Sequence, residues 1–501
     1  MRGQNVWVVF KLVTFVKLGK IVKSKTVPLV VDLDGTLTNV DTLHESLVRL
    51  LLTNPIEFLK LTPRISAGKS KFKSSVASVQ SLDPKMLPYN EVVIKLIVQA
   101  KADGRKVVLA SAANQQIVDS VSEHLGFFDL ALGSSAAQNL SGSAKAAKLD
   151  EEFGLGNYDY VGNSKADLQV WAKSKQALIV SGSKTLATRV AKLNDSSVVI
   201  DDRKTNTVGD WVKQLRIHQW SKNILLAIPL LAAFSPLSPS TLLSLGLAFL
   251  SFGLVASSVY LLNDLSDLDN DRSHHIKRAR PFAAGRIPIF LGLSASVGLL
   301  ILGMFLATTV GAAFLLVMVV YFAATVLYTF ALKRVTLVDS LVLAFLYTLR
   351  VIAGGVATAI PVSFWLLSLS VFLFMSLAWV KRYAELDAGL KLGKDAAKGR
   401  GYTSQDMPII MSLGVASGFL SILVFALYLD SEVVSINYRT PEIAWLAVPM
   451  FTYLVGRVWI KAHRGEMNQD PLIYIFKDKA SLLTAGLVLV ALISAHLGVT
   501  I

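Results

Sequence analysis

The sequence predicts an α/β domain with a helical cap over residues 27–200, followed by an all-α integral-membrane bundle of about nine helices over residues 215–501. Three observations lead there. The chain is 53% hydrophobic with a mean hydropathy of +0.53, too apolar to be wholly soluble. Up to about Asp210 its apolar residues come in short runs among charges, whereas from Asn223 onward they come in blocks of about twenty, the length that spans a bilayer. The first part also holds short apolar runs that end in acids, hydroxyls or glycine, the pattern of buried strands delivering polar groups to an edge.

Residues 1–26 mix Lys and Arg with apolar residues and lack a small-residue cleavage site, so they read as a surface-lying amphipathic helix or a frayed extension. Residues 27–31 read as a strand that ends in Asp32-Leu33-Asp34-Gly35-Thr36. Two acids one residue apart on a tight glycine turn can point together at a metal and a phosphate. Residues 38–103 look helical and would form the cap. A second strand, 107–111, ends in Ser111. Gly142 to Lys145 follows, then Tyr160 to Ser164 with Asp167 beyond. Lys148 could serve in place of Lys145, one helical turn on. Residues 198–200 make a possible last strand, and 201–214 reads as a linker.

Nine candidate spans follow, at 223–237, 241–262, 288–308, 311–332, 337–357, 361–380, 408–429, 442–460 and 481–500; the first is short and broken by Pro229. Lys and Arg concentrate in the loops after the second, fourth, sixth and eighth, which places those loops and the soluble domain in the cytoplasm. The net charge of +15 has the same origin and does not call for nucleic acid. The absence of cysteine excludes disulfides, thiolate metal sites and cysteine nucleophiles.

At the cytoplasmic end of the second span stands Asn263-Asp264-Leu265-Ser266-Asp267-Leu268-Asp269-Asn270-Asp271. At about 100° per residue, Asn263, Asp264, Asp267 and Asp271 share one helical face, while Asp269 points away into a solvated loop. Three stacked carboxylates at a bilayer edge repel unless a divalent ion compensates them, and hard oxygen ligands suit Mg²⁺. Arg272, Lys277, Arg278 and Arg280 follow at once and make an anion site beside them. A second polar set comprises Tyr328, Lys333, Arg334, Asp339 and Arg350; an arginine inside an apolar run should face a cavity or a buried acid. Lys381 and Arg382 form a third set.

These residues carry a resemblance. The membrane half, from about Leu215, resembles the UbiA prenyltransferase superfamily, whose N-D-x-x-D-x-x-x-D hallmark is matched at Asn263, Asp264, Asp267 and Asp271. The H-x-x-K-R-x-R-P run from His274 to Pro281, the L-R-x-x-A-G-G run from Leu349 to Gly355 and the K-R-Y-A-E run at Lys381 look most like polyprenyl-phosphate phosphoribosyltransferases. That resemblance implies Mg²⁺, phosphoribosyl pyrophosphate and a polyprenyl phosphate or diphosphate as cofactor and partners within the lipid bilayer. Quinone-type members have a second D-x-x-x-D motif; here Asp339 has no acid four residues on, which weakens prenyl transfer to an aromatic acceptor as the alternative. A transporter with a regulatory soluble domain is the reading from another class. The acidic face at the membrane edge, away from mid-depth, disfavours it.

The soluble half resembles the haloacid dehalogenase (HAD) phosphatase superfamily, a Rossmann-like fold, over residues 27–200. By that resemblance Asp32 attacks phosphorus, Asp34 is acid and base, Asp167 helps hold Mg²⁺, and Ser111 and Lys145 grip phosphoryl oxygens. Asn163 stands where an acid is usual, which weakens metal binding or shifts it onto Asp167. Together the two resemblances imply a membrane transferase joined to a phosphatase that acts on its product. Oligomeric state is not legible.

Overall fold

The computed structural model describes residues 27–499 except 202, 204, 392, 394–400, 433, 468 and 469, so the reading of residues 1–26 lies outside the described residues. The chain divides into two compact units, one of residues 1–215 with 261–295, the other of residues 216–260 with 296–501. The first unit therefore takes in the Asp-rich segment.

Six parallel strands build the first unit: β1 (Leu29–Val31), β2 (Val107–Asn114), β3 (Leu130–Ser134), β4 (Asp159–Gly162), β5 (Gln176–Val180) and β6 (Ser197–Asp201), in the spatial order 3-2-1-4-5-6. Period-2 alternation explains why β1 is apolar throughout: Leu29 and Val31 enter the core on one face and Val30 the core on the other. In such a doubly wound sheet the strand order reverses at β1 and β4, and the crevice beyond their carboxyl ends is where ligands bind.

Between β1 and β2 lie helix α1 (Thr42–Thr53), helices Pro55–Leu61 and Lys69–Val79, and helix Glu91–Ala102. The first three bury Leu50, Leu61 and Val76 in a small core of their own, and an antiparallel bridge between Thr38 and Tyr89 closes their base. This is the expected cap. The stretch read as a linker contains a helix, Val208–Gln214, started by a Thr207–Asp210 capping box.

Among the described residues, eight helices are long and apolar enough to cross a membrane: Pro239–Ser266, Ile289–Val310, Ala312–Phe330, Val338–Thr358, Phe364–Leu390, Ser404–Leu429, Pro441–His463 and Lys479–Leu497. The candidate at 223–237 is not among them. It forms 3-10 turns over Ile217–Ala227 and a five-residue helix, Ile228–Ala232, with Pro229 in its first turn, where a missing N–H is tolerated. Within the second unit, Gly414 lets two helices meet closely, since a Cβ there would lie 2.0 Å from the Trp459 ring. Ser376 donates to the Gly414 carbonyl at 2.7 Å and accepts from Trp459 Nε1 at 3.0 Å.

Candidate active sites

In the first unit, β1 ends at Asp32, whose backbone N–H donates to the Val161 carbonyl of β4 at 3.0 Å. The chain then turns sharply through Asp34 (φ −71, ψ 118) and Gly35 (φ 72). Gly35 is needed twice over. Its φ is left-handed, and a Cβ would lie 2.1 Å from Asn163 Nδ2. Asp34 Oδ1 accepts the Thr42 N–H at 2.9 Å, which ties this acid to the start of α1.

Lys145, from the helix Ser143–Phe153, donates to Asp32 Oδ1 and to the Tyr160 hydroxyl, both at 2.8 Å, and lies 3.7 Å from Asp167. Lys148 is turned away and pairs with Glu151 at 3.1 Å, so Lys145 is the lysine at Asp32. Asp167 is buried; it accepts from the Tyr160 hydroxyl at 2.7 Å, from Ser164 N and Oγ at 3.0 Å each, and from Asn163 N at 3.2 Å. The Asn163 side chain accepts from Thr36 Oγ1 at 3.2 Å. Ser111 is buried in β2 and lines the same cavity.

Burial pushes the Asp32 carboxyl up to about 6, against the pull of Lys145. Burial, with Asp41 nearby, pushes Asp34 up to about 7. One ammonium thus faces two carboxylates that are costly to ionise, an arrangement that a divalent cation relieves. The cavity above these groups measures about 1320 Å³ and includes Lys85, Arg278, Ala279 and the 283–286 segment in its wall.

The Asp-rich segment departs from one continuous helix. Helix Pro239–Ser266 stops, Asp267 leaves helical geometry (φ −100, ψ 15), and a separate helix runs over Leu268–Ser273. The i→i−4 bonding nonetheless bridges the kink, with Asp267 N–H donating to the Asn263 carbonyl at 3.0 Å and Asp271 N–H to the Asp267 carbonyl at 2.9 Å. Asp264 and Asp271 are both buried and are brought together by Arg280, whose Nη1 lies 3.1 Å from one and 2.7 Å from the other; Gln214 Nε2 also donates to Asp264 at 2.8 Å. Burial raises the Asp271 carboxyl above its ordinary value, with Arg280 opposing. Asn263 and Asp267 are half-buried, and Lys277 and Arg278 are exposed. Among the described residues no three His, Asp or Glu side chains are grouped so as to hold a metal alone, so magnesium at either site would draw on phosphate oxygens and water, as that ion usually does.

Asp269 is exposed, as helical phase suggested, but it does not stand alone. Arg49 of α1 donates to both its oxygens, at 2.8 and 2.6 Å. Arg49 also donates to Glu45 at 2.7 Å, and Arg272 pairs with the same fully buried Glu45. No local motif marks this network, because its two halves, at 45–49 and 269–272, are more than 200 residues apart in the chain.

The second unit has its own polar cluster. Asp470, which no sequence pattern singled out, accepts from Lys222 at 2.6 Å and from the Tyr347 hydroxyl at 3.1 Å, and lies 3.6 Å from Lys381. Among the described residues Arg350 is paired with no acid. It donates to Tyr321 Oη at 2.9 Å, Asn223 Oδ1 at 3.3 Å and the Leu346 carbonyl at 2.7 Å, and stands over the rings of Phe252, Tyr321 and Tyr347. Aromatic faces and amide oxygens replace the expected carboxylate. Arg382 pairs with buried Asp339 at 2.6 Å and reaches Tyr328 Oη at 3.2 Å, while Tyr402 donates to Asp339 at 2.6 Å. Lys333 lies just past the helix Ala312–Phe330 and is half-buried.

Known proteins resemble parts of this chain. The chain is 37% identical over 472 residues to an uncharacterized protein, y4nM, of Sinorhizobium fredii, covering 94% of this chain and 91% of that one. It is 35% identical over 266 residues to a decaprenyl-phosphate phosphoribosyltransferase of Mycobacterium tuberculosis, covering 52% of this chain and 85% of that one. A solved HAD family hydrolase from Salmonella enterica serovar Typhi matches 35% of this chain and 68% of its own, at 12% identity and a TM-score of 0.26. The model of the UbiA prenyltransferase family matches residues 224–477. The chain is an integral-membrane protein with a parallel α/β unit at its amino-terminal side, and it belongs to the UbiA prenyltransferase family.

Proposed function

We propose that the membrane half transfers a 5-phosphoribosyl group from phosphoribosyl pyrophosphate to a polyprenyl phosphate, and that the HAD-type unit then removes the 5-phosphate, both on the cytoplasmic side. The observation that carries the choice of donor is the state of Asp339. It is the acid at the place of a second Asp-rich motif, but no acid stands four residues on and its partners are Arg382 and Tyr402, so it lacks the companion carboxylate that Asp264 and Asp271 have in each other, which argues against a second metal for a prenyl diphosphate. The likeness to a decaprenyl-phosphate phosphoribosyltransferase supports the same reading.

In the transfer step the bond from C1 to pyrophosphate breaks and a lipid phosphate oxygen bonds to C1, so charge control and positioning suffice without a protein nucleophile. Asp264, Asp267 and Asp271 would hold Mg²⁺, which neutralises the departing diphosphate. Arg280 and Lys277 beside them attract the donor's phosphates. Among the remaining cations, Lys333, Arg350 and Lys381 are candidates for further anionic contacts, and Arg382 acts by holding Asp339. In the phosphatase step Asp32 bonds to phosphorus as the ester oxygen leaves with a proton from Asp34. Water then attacks phosphorus, Asp34 takes its proton, and phosphate departs. A carboxyl poised near 7 suits both roles at neutral pH. Ser111 and Lys145 bind the phosphoryl oxygens, and Asp32, Asp34 and Asp167 would hold a second Mg²⁺. Since Asp167 already accepts from four donors, Asp32 and Asp34 would carry most of that ion's charge.

Positive loops after alternate spans support the cytoplasmic placement. The test is to supply phosphoribosyl pyrophosphate and a polyprenyl phosphate to Asp32→Asn protein. Accumulation of the phosphorylated lipid supports coupling, and an unchanged product pattern contradicts it.

A further inference from the structure

The phosphatase cavity is larger than a phosphomonoester needs. At about 1320 Å³ it exceeds the roughly 300–1,000 Å³ typical of pockets for drug-sized ligands. Beyond Asp32, Asp34, Asp167 and Lys145, its wall carries six cations, Lys73, Lys85, Arg203, Arg272, Arg278 and Arg286, against three carboxylates. Four of the six are engaged. Arg272 pairs with Glu45, Arg286 with Asp210 at 2.8 Å and Arg203 with Asp201 at 2.5 Å, while Lys73 donates to the Ala112 carbonyl at 2.7 Å. Lys85 and Arg278 are exposed and make no ion pair among the described residues.

These two sit on neighbouring pieces of chain. Lys85 is on the turn Pro84–Met86, at the carboxyl end of the cap, and that turn packs against the helix Leu268–Ser273, five residues before Arg278. Arg278 is held by its backbone, whose N–H donates to the His274 carbonyl at 3.0 Å, within a short 3-10 turn over Lys277–Ala279.

We propose that Arg278 and Lys85 form a second anion subsite in the phosphatase cavity, so that this unit selects sugar phosphates carrying an anion at each end. One phosphate would occupy the Asp32 site while the other, a phosphodiester or phosphomonoester on C1, meets Arg278 and Lys85. The proposal rests on the phosphatase reading above and deepens it. Arg278 lies within the stretch matched by the UbiA family model, so a transferase loop would confer specificity on the phosphatase. A guanidinium suits this task because its planar donors match two phosphate oxygens at once.

The experiment uses the full chain in detergent with Mg²⁺ and two soluble probes, ribose 1,5-bisphosphate and ribose 5-phosphate, following phosphate release. Wild-type protein should prefer the bisphosphate by kcat/KM. In Arg278→Ala that preference should fall about ten-fold, the loss of one charge-assisted hydrogen bond at an accessible site, with Arg278→Lys recovering part of it. Lys85→Ala should lower it independently. If wild-type protein cleaves both sugars without preference, or the preference survives both alanine variants, the subsite is wrong and the phosphatase stands. If wild-type protein cleaves neither, the phosphatase reading falls and takes the subsite with it.

Discussion

Glu45 offers a sharp test of how the Asp-rich segment is held in the first unit. Its side chain is 0% exposed and faces Arg272, itself 5% exposed, and Arg49, 13% exposed. Burial alone would raise the Glu45 carboxyl, but Arg272 and Arg49 outweigh it and hold it below its ordinary value of 4.5. In Glu45→Leu, Arg49 keeps Asp269, whereas among the described residues Arg272 keeps only the Ala283 carbonyl, 3.1 Å from its Nε. An uncompensated buried charge of this kind costs about 3–5 kcal/mol. For a unit of this size that lowers Tm by about 6–20 °C. Arg272→Met should cost less, about 2 kcal/mol, because Glu45 still faces Arg49. The double variant should recover most of the loss, since an ion pair replaced by apolar groups of similar volume is close to neutral. Thermal unfolding of the purified full chain gives the three values. Hydrogen exchange at residues 42–53 and 268–273 localises the effect. The sign with pH is fixed: a depressed carboxyl stabilises above pH 4.5, and that contribution is lost as pH falls through its lowered value. A double variant as unstable as the sum of the singles would refute the coupling.

Two further outcomes follow from the same electrostatics. Because Asp32 and Asp34 are pushed up from 3.8 to about 6 and about 7, their contribution to the stability of the metal-free unit is fully present below pH 3.8 and is lost as pH rises through 6 to 7. Mg²⁺ should therefore raise Tm more at pH 8 than at pH 5, and an equal shift at both would contradict this. In the second unit, Asp470→Ala leaves Lys222 and Lys381 without their acid and should cost about 3–5 kcal/mol, with Lys222→Met restoring part of it in the double variant; additive losses by thermal unfolding would count against the cluster.

Much of the architecture is legible in local pattern. A buried strand reads as an unbroken apolar run, so β1 and its delivery of Asp32 and Asp34 follow from residues 27–36 alone, and each long apolar block from Pro239 onward becomes a helix. What local pattern cannot supply is the partner from far along the chain. Asp470 is a single acid in a loop, given its place by Lys222, 248 residues away. Asp269 is exposed as a helical wheel suggests, but nothing nearby announces its partner Arg49. The wheel puts Asp264 and Asp271 on one face, but it shows neither the kink at Asp267 nor Arg280 as the cation between the two acids. Likewise Arg350 inside an apolar run signals a buried cation, but hydrophobic patterning does not distinguish an acid from a set of aromatic faces as its companion.

The most direct measurement is a donor screen on the purified chain with Mg²⁺ and a polyprenyl phosphate, offering phosphoribosyl pyrophosphate or a prenyl diphosphate with an aromatic acceptor, and reading the lipids by mass spectrometry. The expected result is pyrophosphate release from phosphoribosyl pyrophosphate alone, with a ribosylated lipid phosphate that has lost its 5-phosphate in wild-type protein. Consumption of the prenyl diphosphate, with phosphoribosyl pyrophosphate left intact, would contradict it.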